Sequence, residues 1–296
     1  MEQRKEQKVE DHMEKDTGTV RKKWPLKKKL ILWAVLIPVF LIISDMRLKT
    51  VVYTVNTGKL EHPVRLALIT DLHSCWYGKE QQTLISAVNA QEPDIVLLGG
   101  DIFDDGHSYK NAELTLQYLS AQYPCYYVTG NHEFWSEDIE SIINIVEPYG
   151  ITILQGDYAD IEAGEQRLRL FGVDDPDVTV YCQGSTNILQ QLNRIREKID
   201  PDCCNVLLSH RPELIDIYKR YGFDLVLSGH AHGGQWRIPG ILNGLYAPNQ
   251  GLFPQYAGGR YDFDWGTMIV SRGLARESTP APRLFNRPEL VIIDLQ

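Results

Sequence analysis

The sequence predicts an α/β domain preceded by one apolar helix near the amino terminus. Ten short apolar runs have the length and composition of strands, and amphipathic stretches of helical period lie between several of them. Strands that alternate with helices in this way favour a largely parallel sheet. Because residues 48–296 contain no internal repeat and no long linker, we expect them to form one domain.

The predicted elements follow one another along the chain from Val51 onward. The strand-like runs are Val51–Val55, Val64–Thr70, Asp94–Leu98, Tyr126–Thr129, Ile151–Leu154, Leu168–Val173, Asn205–Ser209, Leu225–Ser228, Met268–Ser271 and Leu290–Asp294. The helical stretches are Glu80–Ala90, Asn111–Ser120, Glu137–Val146, Thr186–Ile199 and Pro212–Tyr221. In the fourth stretch, Ile188, Leu192 and Ile195 recur at the spacing that places side chains on one face of a helix.

The charge is unevenly divided between the two ends of the chain. Residues 1–29 hold ten basic and six acidic side chains, whereas residues 30–296 hold 20 basic and 33 acidic ones. Such an acidic body argues against nucleic acid as a partner, because binding the phosphate backbone needs a basic face. It fits a protein that gathers cations. The basic residues 1–29 are predicted to be a solvated, disordered tail.

Residues 30–43 are fourteen uninterrupted apolar positions with six basic residues just before them. We interpret this run as an uncleaved transmembrane signal anchor, because no small-residue cleavage site follows it. As a helix it is about 21 Å long, shorter than a ~30 Å hydrocarbon core, and snorkelling lysines would make up the difference. The positive-inside rule then predicts a single-pass protein of the cell membrane, with the lipid bilayer as partner and the catalytic domain on the extracytoplasmic side. A buried core helix is the alternative.

Five of the strand-like runs end in residue types that bind metals. The residues that follow these runs are Asp71 and His73 after 64–70, Asp101 and Asp104 after 94–98, Asn131, His132 and Glu133 after 126–129, His210 after 205–209, and His230 and His232 after 225–228. Because the carboxyl ends of parallel strands line one edge of a sheet, we expect these side chains to converge on one place.

The converging side chains form a set of oxygen and nitrogen donors without thiolates, which suits Mn, Fe, Zn or Ni. Without a cation, burying so many carboxylates together would cost roughly several kcal/mol. We therefore expect two divalent transition-metal ions as cofactors. Two metals about 3.5–4 Å apart clamp the attacking and leaving oxygens of a phosphoryl displacement, which makes phosphoester hydrolysis the predicted reaction class.

The ordered series D-x-H, G-D-x-x-D, G-N-H-E, H and G-H-x-H between Val64 and Gln235 resembles the calcineurin-like metallophosphoesterases. This resemblance implies a four-layer α/β/β/α sandwich of two mixed sheets that holds a dinuclear metal centre. It also implies the ligands: Asp71, His73 and His232 for one metal, Asn131, His210 and His230 for the other, and Asp101 as the bridge between them.

A finer resemblance is to the membrane-tethered bacterial branch of YaeI/YkuE type. It rests on the apolar segment near the amino terminus and on the motifs SHRPE, GHAHGGQWRIPG and GLYAPNQGLFPQYAGGRY, which begin at Ser209, Gly229 and Gly244. Some members of that branch hydrolyse UDP-diacylglucosamine in lipid A synthesis, and others act at the cell wall. The resemblance therefore favours a lipid- or envelope-linked substrate.

The expected mechanism is in-line attack on phosphorus by a hydroxide that bridges the two metals. His132 is not needed as a ligand, so we predict that it is catalytic, as the general acid or as a donor that stabilises the transition state. Asp104 would be catalytic with it, accepting a hydrogen bond from His132 and fixing its tautomer. The alternative for Asp104 is a turn or helix-cap aspartate. Glu133 is either a partner of a ligand residue or an acid at a helix start.

Residues 233–266 hold eight glycines and seven aromatic residues. We expect Arg237, Trp236 and Arg260 in this segment to bind substrate, with arginine pairing with phosphate and aromatic rings holding a sugar, base or acyl group. An irregular segment that packs its aromatic rings on the sheet is the alternative.

The sequence thus predicts a membrane-anchored, dinuclear-metal-dependent phosphoesterase that hydrolyses a phosphodiester or pyrophosphate bond. Its substrate would be a lipid- or envelope-linked phosphoester, for example a nucleotide-sugar lipid. A phosphomonoesterase of the same fold and a catalytically silent metal-binding interaction module are the two alternatives.

Overall fold

A computed structural model of the chain describes residues 25–163, 166–276 and 282–296. The predicted disordered tail therefore lies, for residues 1–24, outside the described residues. The described residues divide into two compact units, the first ending at residue 41 and the second formed by residues 42–296.

Helix α1, Leu26–Ile43, forms over the apolar run near the amino terminus. It begins four residues before the predicted segment 30–43, so its first turn contains three lysines. None of its residues is buried, and Pro38 lies inside it. Among the residues that the structure describes, no helix is both long and apolar enough to cross a membrane.

The second unit is built on two six-stranded mixed sheets. In the first sheet the strand order is β1 (Lys49–Val55), β14 (Glu289–Leu295), β2 (Val64–Ile69), β3 (Ile95–Gly99), β4 (Cys125–Val128) and β5 (Thr152–Ile153). In the second sheet it is β12 (Gly259–Phe263), β13 (Gly266–Val270), β9 (Leu225–Ser228), β8 (Cys204–Leu208), β7 (Gln166–Gly172) and β6 (Asp157–Ala163). Strands β10 (Tyr246–Ala247) and β11 (Gly251–Leu252) form a separate antiparallel hairpin.

The central strands of each sheet are parallel, so their carboxyl ends lie on one edge. Strands β2 to β5 are parallel neighbours, as are β7, β8, β9 and β13. Antiparallel pairs occur at β14 with β2, at β12 with β13, and at β6 with β7. The parallel register places the residues that follow β2, β3 and β4 side by side, and likewise those that follow β7, β8 and β9.

The two sheets pack face to face, and their outer faces are covered by helices. In β2, Leu66 and Leu68 join the apolar cluster between the sheets, whereas Ala67 and Ile69 join the cluster beneath the helices. This alternation is the period-two pattern of a strand buried on both faces. The four layers agree with the predicted α/β/β/α sandwich.

The helices of the outer layers follow from the apolar periodicity of the sequence. Against the first sheet lie α2 (Gln82–Asn89), α3 (Lys110–Ser120) and α5 (Ile139–Val146). Against the second lie α7 (Ile188–Ile195) and α8 (Ile215–Tyr218). Two short helices, α4 (Asn131–Trp135) and α6 (Val178–Tyr181), follow β4 and β7.

All ten predicted strands are confirmed, with ends shifted by at most two residues. The sequence pattern missed β10, β11, β12 and β6, and residues 157–162 of β6 include three acidic side chains. This strand lies at the edge of its sheet and pairs only with β7, so it does not need an apolar sequence on both faces.

Candidate metal centre

The strand ends bring the predicted ligand residues together. In the part of the chain that the structure describes, three groups of side chains have potential ligand atoms within 4.8 Å of one another. The groups are Asp71, His73, Asp101 and His232; Asp101, His210 and His230; and His73, Asp104 and His132. Asp101 belongs to the first two groups, so its carboxylate lies within reach of both sets of potential ligand atoms.

Five of these residues have backbone conformations that side chains rarely adopt. The φ angles of Asp71, His73, Asp101, His230 and His232 are 50°, 47°, 51°, 64° and 46°. Left-handed conformations of residues other than glycine cost of order 1–3 kcal/mol each and persist only where the surrounding structure holds them. Such strain concentrated on one set of side chains is typical of a functional site.

Two glycines allow the turns to approach the carboxylates closely. A Cβ atom at Gly130 would lie 2.2 Å from Asp101 Oδ1, and one at Gly229 would lie 2.5 Å from Asp71 Oδ2. Both distances are far below van der Waals contact. No larger residue therefore fits at these positions while the two carboxylates remain where they are.

The donor atoms of the cluster fit a metal because they lack other partners. Five buried side-chain atoms make no hydrogen bond: Asp71 Oδ2, His73 Nε2, Asp101 Oδ2, Asn131 Oδ1 and His210 Nε2. A buried polar atom without a partner is costly, and it is rare in native proteins. Asp101 Oδ2 lies 3.1 Å from His210 Nε2 and 3.6 Å from His73 Nε2. Divalent cations would satisfy all five atoms at once.

Burial and charge set the pKa values within this cluster. Burial disfavours the charged form of His210, but the adjacent Asp101 raises the pKa of His210 to about 10. Although burial opposes it, the same pairing holds the pKa of Asp101 well below its usual range. Burial lowers the pKa of His230 and His232 well below the usual histidine value, so both rings are neutral and able to ligate. A metal at Asp101 would take the place of the His210 proton.

The structure places His132 beside the cluster but gives it a different partner from the predicted one. Its Nδ1 lies 2.6 Å from Asp105 Oδ1 and 3.8 Å from Asp104 Oδ2. The predicted hydrogen bond between His132 and Asp104 is therefore wrong. Asp104 instead accepts hydrogen bonds from His73 Nδ1 at 3.0 Å and from His107 Nδ1 at 2.6 Å.

The contact with Asp104 gives His73 a defined tautomer. With Nδ1 donating to the Asp104 carboxylate, Nε2 of His73 is left free to bind a metal. Burial opposes ionisation of Asp104, but the hydrogen bonds from His73 and His107 lower its pKa below the usual range. Asp104 thus orients a ligand histidine, and Asp105 takes the place beside His132.

Glu133 has both of the roles considered for it, as an acid near a helix start and as a partner of a ligand residue. It lies in the first turn of helix α4, and its carboxylate accepts four backbone N–H bonds from the turns around the cluster. Oε2 accepts from Gly130 at 2.7 Å and from Asp101 at 2.9 Å. Oε1 accepts from Ile102 at 2.8 Å and from Phe103 at 3.1 Å. One fully buried side chain therefore ties the turn after β3 to the turn after β4.

A buried arginine beside His230 escaped the sequence analysis. The Arg211 guanidinium donates to both oxygens of Asp175, and its Nη1 donates to Asn249 Oδ1 at 2.6 Å. Asn249 Oδ1 also lies 2.9 Å from His230 Nε2. Arg211 Nη1 also lies 3.3 Å from this nitrogen. With the closer Asn249 oxygen as acceptor, Nε2 of His230 carries the hydrogen and Nδ1 is left free to bind a metal.

Of the residues around Arg211, only Asp175 and its neighbour Asp174 could have been identified from the sequence. Asp174 and Asp175 directly follow the strand-like run 168–173, so the argument used for the other strand ends also applies to them. Asn249 lies in the turn between β10 and β11, and no periodicity marked it.

Of the three predicted substrate-binding residues, Arg237 contacts a neighbour of His232, whereas Arg260 makes its contacts outside the cluster. Arg237 donates to the carbonyl of Gly233, one residue from His232, and to the Asn243 side chain. The Trp236 indole donates to the carbonyl of Pro282 and remains partly exposed. Arg260 bonds with Asp262 and with the carbonyl of Thr54, both of which lie outside the cluster.

The chain is similar in sequence to several proteins described as metallophosphoesterases. It is 30% identical over 181 residues to an uncharacterized metallophosphoesterase of Helicobacter pylori, covering 60% of this chain and 46% of that one. It is 23% identical over 258 residues to the uncharacterized metallophosphoesterase YkuE of Bacillus subtilis, covering 84% and 86%. A transmembrane protein with metallophosphoesterase domain from Danio rerio is 29% identical, over 79% of this chain and 53% of that one. The chain spans about half the length of the first curated relatives it matches.

The chain is also similar to a solved structure and matches a family model. The dimetal phosphatase from Danio rerio superposes with a TM-score of 0.49 at 13% identity, covering 71% of this chain and 88% of that one. A TM-score of 0.49 at this identity does not assign a function to the chain. The model of the calcineurin-like phosphoesterases matches residues 64–234, which include every residue of the cluster and more than half of the chain. The chain belongs to the calcineurin-like phosphoesterase family.

Proposed function

We propose that this protein is a metal-dependent phosphoesterase that uses two divalent transition-metal ions. The observation that carries the proposal is the set of five buried ligand atoms without hydrogen-bond partners around Asp101. Asp71, His73 and His232 would hold one metal, and Asn131, His210 and His230 the other, with Asp101 shared. When bound, such metals lower the pKa of water and polarise phosphoryl oxygens.

His132 is the group best placed to act on the leaving oxygen. Its Nδ1 contacts the Asp105 carboxylate at 2.6 Å, which keeps the hydrogen on Nδ1 and turns Nε2 away from that carboxylate. Its ring lies edge-on to His73, with centroids 4.3 Å apart, and is partly exposed. When the ring is an imidazolium, its second proton, on Nε2, can be transferred to a departing alkoxide next to the metal centre, and the neutral ring then keeps its hydrogen on Nδ1. Asp105 orients this ring in the way that Asp104 orients His73.

A phosphodiester or pyrophosphate bond is the proposed target, in a lipid- or envelope-linked substrate. The support is the relation to YkuE and the likeness of the motifs after Ser209 to the membrane-tethered branch. For the same reasons we propose attachment to the lipid bilayer through α1, whose apolar side chains are exposed, with the catalytic unit on the extracytoplasmic side. Resistance of the catalytic unit to external protease in intact cells would contradict that placement.

The test of the activity is a single conservative substitution in the full chain. Asp101→Asn keeps the shape of the side chain but removes the charge that two metals would share. We expect bound metal, measured by plasma mass spectrometry, to fall from about two ions to at most one. Hydrolysis of bis-p-nitrophenyl phosphate should fall about a thousandfold, equivalent to roughly 4 kcal/mol of transition-state stabilisation.

The matched control is Asp216→Asn, which changes an exposed aspartate paired with Lys219. It should leave metal content and turnover unchanged. Full activity and two bound ions in Asp101→Asn would refute the proposal. A higher turnover of p-nitrophenyl phosphate than of the diester would favour a phosphomonoesterase. Two bound metals without turnover of any ester would favour the silent interaction module.

A further inference from the structure

Among the described residues outside helix α1, exposed apolar side chains are concentrated in residues 236–253, which we call the apolar loop. Ile241 is 84% exposed, and Leu252 and Phe253 are each 67% exposed. Trp236, Ile238 and Tyr246 are also exposed in this segment. Contiguous exposed apolar surface on a soluble unit commonly marks an interaction site.

The apolar loop is a defined structure. The β10–β11 hairpin pairs Tyr246 with Leu252, and the Phe253 amide donates to the carbonyl of Leu245 at 2.8 Å. The Leu245 amide donates in turn to the carbonyl of Gly234 at 2.9 Å. These backbone hydrogen bonds fix the main chain at Tyr246, Leu252 and Phe253, and the side chains of these residues remain exposed.

The apolar loop is tied directly to the metal centre. Asn249, in the hairpin turn, contacts His230 Nε2 at 2.9 Å and receives the Arg211 guanidinium. Phe253 is four residues further on, so its Cα lies at most about 14 Å from that of Asn249. A surface that captures the apolar loop would therefore be held close to the reacting groups.

The charge of the apolar loop favours a lipid surface over an aqueous partner surface. Residues 236–253 contain no aspartate or glutamate and include Arg237, although the body of the chain carries 33 acidic side chains. No carboxylate in this segment repels lipid phosphates. Tryptophan and tyrosine side chains such as Trp236 and Tyr246 favour the boundary between headgroups and acyl chains. Helix α1 is a second exposed apolar element of the same chain.

We propose that the apolar loop docks on a lipid surface and presents the metal centre to phosphoesters carried in that surface. Ile241, Leu252 and Phe253 enter the boundary between headgroups and acyl chains. The docking itself requires no hydrolysis. A binding measurement therefore tests it independently of the proposed function.

The experiment reads the environment of one residue in the full chain. In a background with the partly exposed thiols removed, Cys182→Ser and Cys203→Ser, the variant Ile241→Cys carries an NBD fluorophore. The labelled protein is mixed with phosphatidylcholine vesicles with and without doxyl-labelled lipid. The matched control carries the same label at Glu61→Cys, an exposed position before the amino end of β2, on the edge opposite the metal centre.

Because both labelled proteins retain α1, attachment through that helix affects them alike. We expect at least twofold quenching by doxyl lipid at position 241 and none at position 61. Adding Leu252→Glu and Phe253→Glu to the Ile241→Cys protein should reduce its quenching to the level of the control. Equal quenching at 241 and 61 would overturn the proposal. So would a lipid-free fluorescence shift at 241 that grows with protein concentration and accompanies a sedimenting dimer, because it would identify a second copy as the occupant.

Discussion

Replacing Glu133 with glutamine tests whether one buried carboxylate holds the turn that carries Asp101. Oε2 accepts two backbone N–H groups, and Oε1 accepts two more. A glutamine side chain keeps a single oxygen. Whichever way its amide is turned, the NH2 group must face two N–H donors, so two of the four hydrogen bonds are lost.

The magnitude follows from those two hydrogen bonds. Hydrogen bonds to a charged acceptor contribute about 1.5–3 kcal/mol each, so the loss is about 3–6 kcal/mol. Part of it is offset, because burial and the neighbouring Asp101 raise the pKa of Glu133 and make its charged form less favourable. We therefore expect Glu133→Gln to lower the free energy of unfolding by about 3 kcal/mol, the lower end of this range.

The measurement is urea unfolding of the full chain without added metal, with Glu197→Gln as the matched control. Glu197 is exposed, so its substitution should change stability by less than about 0.5 kcal/mol. We also expect Glu133→Gln to bind less metal, because the turn that positions Asp101 is released. A loss of stability in Glu133→Gln no larger than that of the control would refute this account of the carboxylate.

Three further substitutions test separate parts of the structure. Gly130→Ala places a methyl group within 2.2 Å of a ligand carboxylate, so metal content and turnover should collapse, whereas Gly106→Ala, with a nearest contact of 3.4 Å, should retain both. Asn249→Leu removes the acceptor for His230, and calorimetric titration should show one of two metal sites weakened about 10–100-fold; an unchanged titration would contradict the assigned tautomer. Burial raises the pKa of Cys204 to about 12, so the unfolded thiol ionises first as the pH rises above ~8.5. The free energy of unfolding should then decrease by about 1.4 kcal/mol per pH unit until the folded thiol ionises, and urea unfolding from pH 8 to pH 10.5 should show a flatter profile in Cys204→Ala.

The sequence alone was sufficient for the positions of ten strands and for the identity of the clustered residues. Buried parallel strands need continuous apolar runs, and such runs are visible in a single sequence. The end of each run is also visible, so the polar residues that follow it, such as Asp71, Asp101 and His230, can be assigned to one edge of the sheet. That inference requires only the rule that carboxyl ends of parallel strands meet.

The partners of individual side chains depended on the tertiary structure. Asp104 and Asp105 are adjacent in sequence, and only the path of the turn after β3 decides which carboxylate reaches His132 and which reaches His73. Asn249 contacts His230 although 19 residues separate them. A pattern of residue types carries no information on such angles and distances, because they are set by packing between elements far apart in the chain. The left-handed backbone at Asp71, which aims its carboxylate inward, is likewise imposed by the surrounding fold and opposed by the local preference of the residue.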